Sequence, residues 1–389
     1  MLDPMRTVAA LAAAVLLLAG CDDAQPTTQP HHDDHPAAVQ PAASKVPLRK
    51  HERFLDLAMP EAYTPKAPTY GTDDYRCFLL DPKLGERTFV TGVDVLPGNP
   101  DVVHHVILFQ VPKDEVSTAQ AADESESGEG WTCFGGTGVG GGSRDALNRA
   151  PWIGAWAPGG GERVMAKDIG IPLDAGTQVI MQVHYNLLAG DSPDISSARL
   201  RVSEGNDNLK ALETMLLVAP VELPCRPGHD ENKLCTRANA VADVTGRFGA
   251  QAGFMVGGLQ LLCGGDPTTP EAGSTQRCDR TVHEAGTIRA VAGRAGACGR
   301  RIKVELNPGT PGARTLLDVH PWNFDEQGSV PVRPAVHIQP GDELRVTCTH
   351  SQKMRDLLPD LKGQPERYVV WGEGTTDEMC LGIVLVTND

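Results

Sequence analysis

The apolar positions of this chain fall into short runs that alternate with polar ones, which is the period of half-buried strands. Thr88 to Val95 alternates loosely and reads as a strand. Val102 to Val111 is a second, bounded by Gly98-Asn99-Pro100 and by Pro112-Lys113. Gln178 to Leu188 is a third, in which Val179, Met181, Val183 and Tyr185 alternate with Gln182, His184 and Asn186. The polar segment Gly205 to Lys210 marks a domain boundary. Beyond it Met215 to Val218 opens a second strand-rich unit, whose clearest strands are Thr287 to Leu306, Asp342 to Thr349 and Met379 to Val386. No long helical pattern is visible. The stretch Ala121 to Arg144, rich in Gly, Ser and Glu, reads as a surface loop interrupted by Trp131-Thr132-Cys133-Phe134.

Composition agrees with many short strands and turns: 42 Gly, 30 Pro and only 5% aromatics. After the N-terminal segments, about 340 residues remain, too many for one average core. The expected fold is all-β, with two successive antiparallel β-sandwiches over residues 67–205 and 206–389. A net charge of −15 argues against nucleic acid as a partner.

The N-terminus reads as an export signal over residues 1–20. Arg6 precedes an apolar run, Val8 to Ala19, too short for a permanent membrane span. It ends in Leu18-Ala19-Gly20-Cys21, the pattern of a bacterial lipobox, so cleavage would leave Cys21 as a lipid-bearing N-terminus. The expected location is the outer face of the bacterial cytoplasmic membrane or the periplasm, with the membrane as partner through that lipid. Residues 21–66 are expected to be a disordered tether, most clearly from Asp22 to Pro47. Its His31-His32-Asp33-Asp34-His35 could collect copper or zinc loosely, and a solvated tether with incidental histidines explains it equally well. Ten cysteines in an exported chain imply disulfides. With Cys21 lipidated, an odd number remains. Cys225 and Cys235 flank one loop, and Cys263 and Cys278 another.

The chemistry concentrates in a few phrases. His104 and His105 stand side by side inside the apolar strand Asp101 to Phe109, and His184 adds a third imidazole far along the chain. Imidazole suits copper in both oxidation states. Neighbouring residues of a regular strand point to opposite faces, so both histidines of the pair reach one metal only if the strand twists or different ring nitrogens are used. Near the end, Thr375-Thr376-Asp377-Glu378-Met379-Cys380 places a thioether beside a cysteine.

Together with Asp73-Asp74-Tyr75-Arg76-Cys77-Phe78, these phrases resemble, in order and separation, the copper type II, ascorbate-dependent monooxygenases, the family of peptidylglycine and dopamine hydroxylases. The resemblance extends from about Thr69 to Val386. It implies that the two sandwiches are jelly-roll-like with a copper cleft between them, and that one copper sits on His104, His105 and His184, with ascorbate as reductant. It also implies a second copper held by a His-x-His pair and Met379, O2-dependent hydroxylation of a C–H bond, and a small-molecule or peptide substrate that the sequence does not identify. It suggests the pairs Cys77–Cys133 and Cys348–Cys380, leaving Cys298 over.

The second site departs from the family. Between flanks that align without a gap, Ala290 to Gly293 and Gly299 to Leu306, the His-x-His position reads Arg294-Ala295-Gly296. Strand alternation would put residues 294, 296 and 298 on one face, so Cys298 could serve as a soft substitute ligand beside Met379. The competing reading is a small buried hydrophobe. Arg294 could pair with Asp377 or Glu378. His283, His337 and His350 are poor substitutes, and nothing in the spacing requires His320. Three functions compete: a membrane-anchored copper hydroxylase, a non-catalytic protein that binds or carries one copper, and a structural lipoprotein.

Overall fold

A computed structural model describes residues 42–67, 71–140, 147–188, 190–204, 208–229, 231–324, 327–358 and 361–388. The export signal, Cys21, and His31, His32 and His35 lie outside the described residues. The fold is all-β and sandwich-like, with short helices.

In the N-terminal half, a five-stranded antiparallel sheet runs in the order Trp131–Thr132, Asp73–Leu80, Gln178–Asn186, Val103–Val111, Trp152–Trp156. Its inner residues, among them Phe78, Val106 and Val183, share a core with Val93, Leu200 and Val202 of a nine-stranded sheet. In the C-terminal half, a four-stranded sheet (Thr275–Thr281, Glu343–His350, Gly299–Leu306, Arg314–Val319) packs Ile302, Val304 and Val346 against Leu217, Val291 and Val384 of the same large sheet. The two sandwiches therefore have one sheet in common. The join is a short parallel pairing, Lys210 with Ile169 and Ala211 with Gly170, just beyond the expected boundary.

Two expectations need correction. The stretch assigned to the tether up to residue 66 is not all tether: Glu52–Ala58 is an edge strand paired with Ser197–Glu204, burying Leu55 and Leu57. Arg201, 1% exposed, anchors what precedes it. Its guanidinium donates to the Val46 carbonyl at 2.6 Å and the Pro47 carbonyl at 3.0 Å, and pairs with Glu52 at 3.1 Å. A buried guanidinium must fill its donors, and the backbone of residues 46–47 fills two.

The second correction is a helical hairpin, Arg237–Phe248 and Ala250–Leu262. The Thr236 side chain caps the first helix by accepting from the Asn239 amide. Gly249, at φ 85°, makes the break between the two. Ala240, Val244, Val256 and Leu259 join the C-terminal core.

Four disulfides form: Cys77–Cys133, Cys225–Cys235, Cys263–Cys278 and Cys348–Cys380. Cys298 is free and buried. The bond from Cys77 to Cys133 closes a separation of 56 residues, which restricts the unfolded chain by about 4 kcal/mol in the chain-entropy account. Among the described residues, no helix is long and apolar enough to cross a membrane.

Candidate metal centre

A β-bulge resolves how adjacent histidines can face one point. In the pairing of Val103–Val111 with Gln178–Asn186, Val103 lies opposite Tyr185 and His105 opposite His184, with the register shifting between them. His104 is the extra residue, so the local twist brings it round to the side of its neighbour. Its Nδ1 lies 2.9 Å from His184 Nδ1, and His105 Nδ1 lies 3.2 Å from the same atom. One ligand atom from each of the three histidines falls within 4.8 Å of the other two.

The protonation pattern follows from the surroundings. His184 is fully buried, and its Nε2 lies 2.9 Å from Asp73 Oδ1. Burial pushes the Asp73 carboxyl up, but hydrogen bonds and charge from His184, with the amide and hydroxyl of Thr375, outweigh it and hold the group well below the usual carboxylate range. An ionised Asp73 only accepts, so His184 Nε2 carries a proton and Nδ1 is the nitrogen left to bind a metal. This is the carboxylate–histidine arrangement that orients ligands around metals. His104 and His105 are held well below the ordinary imidazole value, first by burial and then by the neighbouring His184 and the Arg294 cation. Three Nδ1 atoms thus face one another, and the ring that carries one of them is held from behind by Asp73. A cation at their centre would satisfy all three lone pairs. The donor set of neutral imidazoles fits copper or zinc.

Aromatic rings close the cluster. Tyr75 stacks on His184 at 4.1 Å between centroids, and Phe324 stacks on His104 at 5.3 Å. The segment 372–379, from the far end of the sequence, covers the site. The Tyr75 hydroxyl donates to the Glu373 carbonyl at 2.6 Å, and the Thr375 hydroxyl donates to Asp73 at 2.6 Å. Asp73 and Tyr75 belong to the phrase that carried the resemblance, but their contacts with His184 and with residues 373–375 were not foreseen. Nothing short of the fold joins positions about 300 apart in sequence.

The second position lies in the same cleft, whose walls include His104, His105, Arg294, Gly296, Glu378 and Met379. It holds protein groups. The Glu378 carboxylate accepts from the Gly296 amide at 2.8 Å and from the Cys298 amide, and His350 Nε2 lies 3.4 Å from it. A Cβ on Gly296 would fall 2.8 Å from both Glu378 oxygens. Burial pushes Glu378 up to about 8, against the two amides that stabilise its charged form.

The expected alternation of residues 294, 296 and 298 fails because the strand Gly286–Ala295 ends before Gly296. Residues 296–298 turn into the next strand, with the Gly299 amide donating to the Gly296 carbonyl at 3.2 Å. Cys298 therefore enters the hydrophobic core and is not among the residues lining the cleft. Burial, with the Glu378 charge beside it, pushes its thiol up to about 12. Arg294 does not pair with Asp377 or Glu378. Asp377 is held by Arg247 at 2.6 and 2.9 Å, and Arg294 Nε reaches Gln327 Oε1 at 3.3 Å. Met379 is half-buried on the cleft wall. His283, His320 and His337 are exposed, and His350 is buried against Glu378 and the Met379 carbonyl.

No family model matches the chain, and no curated protein matches it. Among solved structures, it is similar to the major capsid protein P2 from bacteriophage PM2, with TM-score 0.30 and 10% identity over 87% of this chain and 97% of that one. It is similar to allantoicase, with TM-score 0.18 and 9% identity over 76% and 86%. It is similar to the coconut allergen cocosin, with TM-score 0.14 and 10% identity over 87% and 86%. At these scores the likenesses carry no argument.

Proposed function

We propose that the chain binds one copper ion through His104, His105 and His184 and is a lipid-anchored relative, through Cys21, of the ascorbate-dependent copper monooxygenases that lacks their hydroxylation. The observation that carries this reading is the convergence of three Nδ1 atoms, with the His184 ring oriented by Asp73 through its other nitrogen. When bound, copper supplies one-electron exchange between its cuprous and cupric states, with ascorbate as the reductant the resemblance implies. The chain's own residues do the rest. Asp73 orients His184, Tyr75 and Phe324 keep water from the rings, and the segment 372–379 shuts the cleft. The second position argues against hydroxylation, because the carboxylate of Glu378 and the cation of Arg294 stand where the resemblance requires two imidazoles. A working hydroxylase remains the competing reading, with Met379 as a ligand of a second copper.

The test is metal content per chain after anaerobic loading with copper, and separately with zinc, in a protein whose His31, His32 and His35 are changed to Ala. One copper is expected, and none in the His104→Ala/His105→Ala variant. Two coppers with ascorbate-dependent oxygen consumption would establish the hydroxylase. A stoichiometry unchanged by the double variant would end the three-histidine assignment, and tight retention of zinc alone would change the metal.

A further inference from the structure

A large cavity lies beside the metal cleft, and the charged residues that line it are opposite in sign to the net charge of the protein. It measures about 670 Å³, within the range of roughly 300–1,000 Å³ usual for small-molecule sites. The Trp152–Trp156 strand forms one wall, and Ile169, Leu212 and Leu385 of the large sheet form another. Most of the lining is apolar. The charged residues that line it are Arg163, Arg289, Arg294 and Arg333, and no Asp or Glu is among its described lining residues. In a chain of net charge −15, four guanidiniums with no acid among the described lining residues is a local inversion.

Arg294 is the informative member. It is 9% exposed and lines both the cavity and the metal cleft. Among the described residues no carboxylate lies within ion-pair distance of it, and its one hydrogen bond goes to the neutral Gln327 side chain. Glu373 attracts it from the cleft side but does not line the cavity. Arg163, at the exposed side, reaches the Gln327 backbone carbonyl at 3.4 Å, so two cations converge on one residue. Arg289 is already paired with Asp168 at 2.6 Å. A buried guanidinium always carries its charge, and leaving it uncompensated is costly. An anion in the cavity would compensate it, and the apolar walls would take an apolar body.

We infer that this cavity binds an elongated amphiphile with a single anionic head, the head held by Arg294 and Arg163 and the apolar tail lying along Trp152, Trp156 and the large sheet. The inference rests on the cavity and not on the metal, so it is tested on metal-free protein. Dodecanoate, dodecanol, dodecylammonium and acetate are titrated into the full chain, with binding read by calorimetry and by the fluorescence of the cavity tryptophans. One dodecanoate per chain is expected, with dodecanol at least roughly ten-fold weaker and neither dodecylammonium nor acetate bound measurably. A hydrogen bond to a charged group contributes about 1.5–3 kcal/mol, so Arg294→Gln should weaken dodecanoate roughly ten- to hundred-fold while leaving dodecanol unchanged. If Arg294→Gln fails to fold, Arg163→Gln, at an exposed position, carries the same comparison. Equal affinity for dodecanoate and dodecanol, tighter binding of dodecylammonium, acetate binding as well as dodecanoate, no dodecanoate binding at all, or variants that bind dodecanoate as the natural protein does would each overturn the inference.

Discussion

Two positions in one cleft received opposite treatment. At the first, a one-residue bulge, a buried carboxylate and two aromatic rings converge on three imidazole nitrogens. At the second, the backbone turns away one residue after Arg294, Gly296 leaves room, and Glu378 fills that room with its own carboxylate. Each position is internally consistent. The first presents three imidazole nitrogens around one point. The second presents a carboxylate already committed to two amides, beside a fixed positive charge. The comparison teaches that a position without imidazoles need not be a hole: its volume is taken up by groups with hydrogen bonds of their own.

The strongest way to break that comparison is to place imidazoles at the second position with Arg294→His and Gly296→His. A side chain at residue 296 meets both Glu378 oxygens at 2.8 Å and the Asp377 backbone carbonyl at 2.9 Å, and the carbonyl cannot swing aside. Overpacking of this kind costs about 1–3 kcal/mol, and displacing the Glu378 carboxylate from its amides adds a comparable amount. The double variant is expected to melt well below the natural protein and still to bind one copper. Two coppers at an unchanged melting temperature would show that the second position is a dormant metal site.

The two positions also differ in how legible they were. The strands carrying His104, His105 and His184 announce themselves by alternation and were expected within a residue or two of where they lie. Whether the adjacent pair could act together was left open, because a bulge has no signature in alternation. The turn after Ala295 was misread for the complementary reason: flanks that align with a strand suggest the strand continues, and only the Gly296–Gly299 hydrogen bond shows that it does not. The helix Ala250–Leu262 escaped because a Gly-rich apolar stretch mimics a loop or strand, and the short helix Arg237–Phe248 escaped with it, although Thr236 and Gly249 stand at their ends as cap and breaker. The strand Glu52–Ala58 was lost to a tether whose composition changes before its assigned end; the alternating Leu55 and Leu57 were the available signal.

A sharper test of the first position addresses Asp73, which touches His184 at Nε2, the nitrogen turned away from the other two histidines. Asp73→Asn keeps an acceptor in place and removes the charge, and Thr375→Val removes the hydroxyl that steadies it from across the chain. Partners of this kind contribute roughly 10–100-fold in metal affinity. Asp73→Asn should therefore weaken copper within that range and alter the cupric electron paramagnetic resonance spectrum, while Thr375→Ser should behave as the natural protein. Unchanged affinity and spectrum in Asp73→Asn would show that the carboxylate is structural only.

The smallest expected effect is at Cys298. Only the thiolate binds soft metals or attacks electrophiles. Burial and the Glu378 charge push this thiol up to about 12, against an ordinary value near 8.5. The shift favours the protonated form, so at pH 8 the native thiolate fraction is of order one in ten thousand. Between the two values the native state holds a proton that the unfolded chain gives up, so this group lowers stability as pH rises through that window and has no effect below it. Iodoacetamide at pH 8 should leave the native protein unlabelled and modify one thiol per chain after unfolding without reductant. Cys298→Ala should keep one copper and show less loss of stability above pH 9 than the natural protein. Rapid labelling of the native thiol, or loss of copper in Cys298→Ala, would return Cys298 to the metal site and erase the contrast between the two positions.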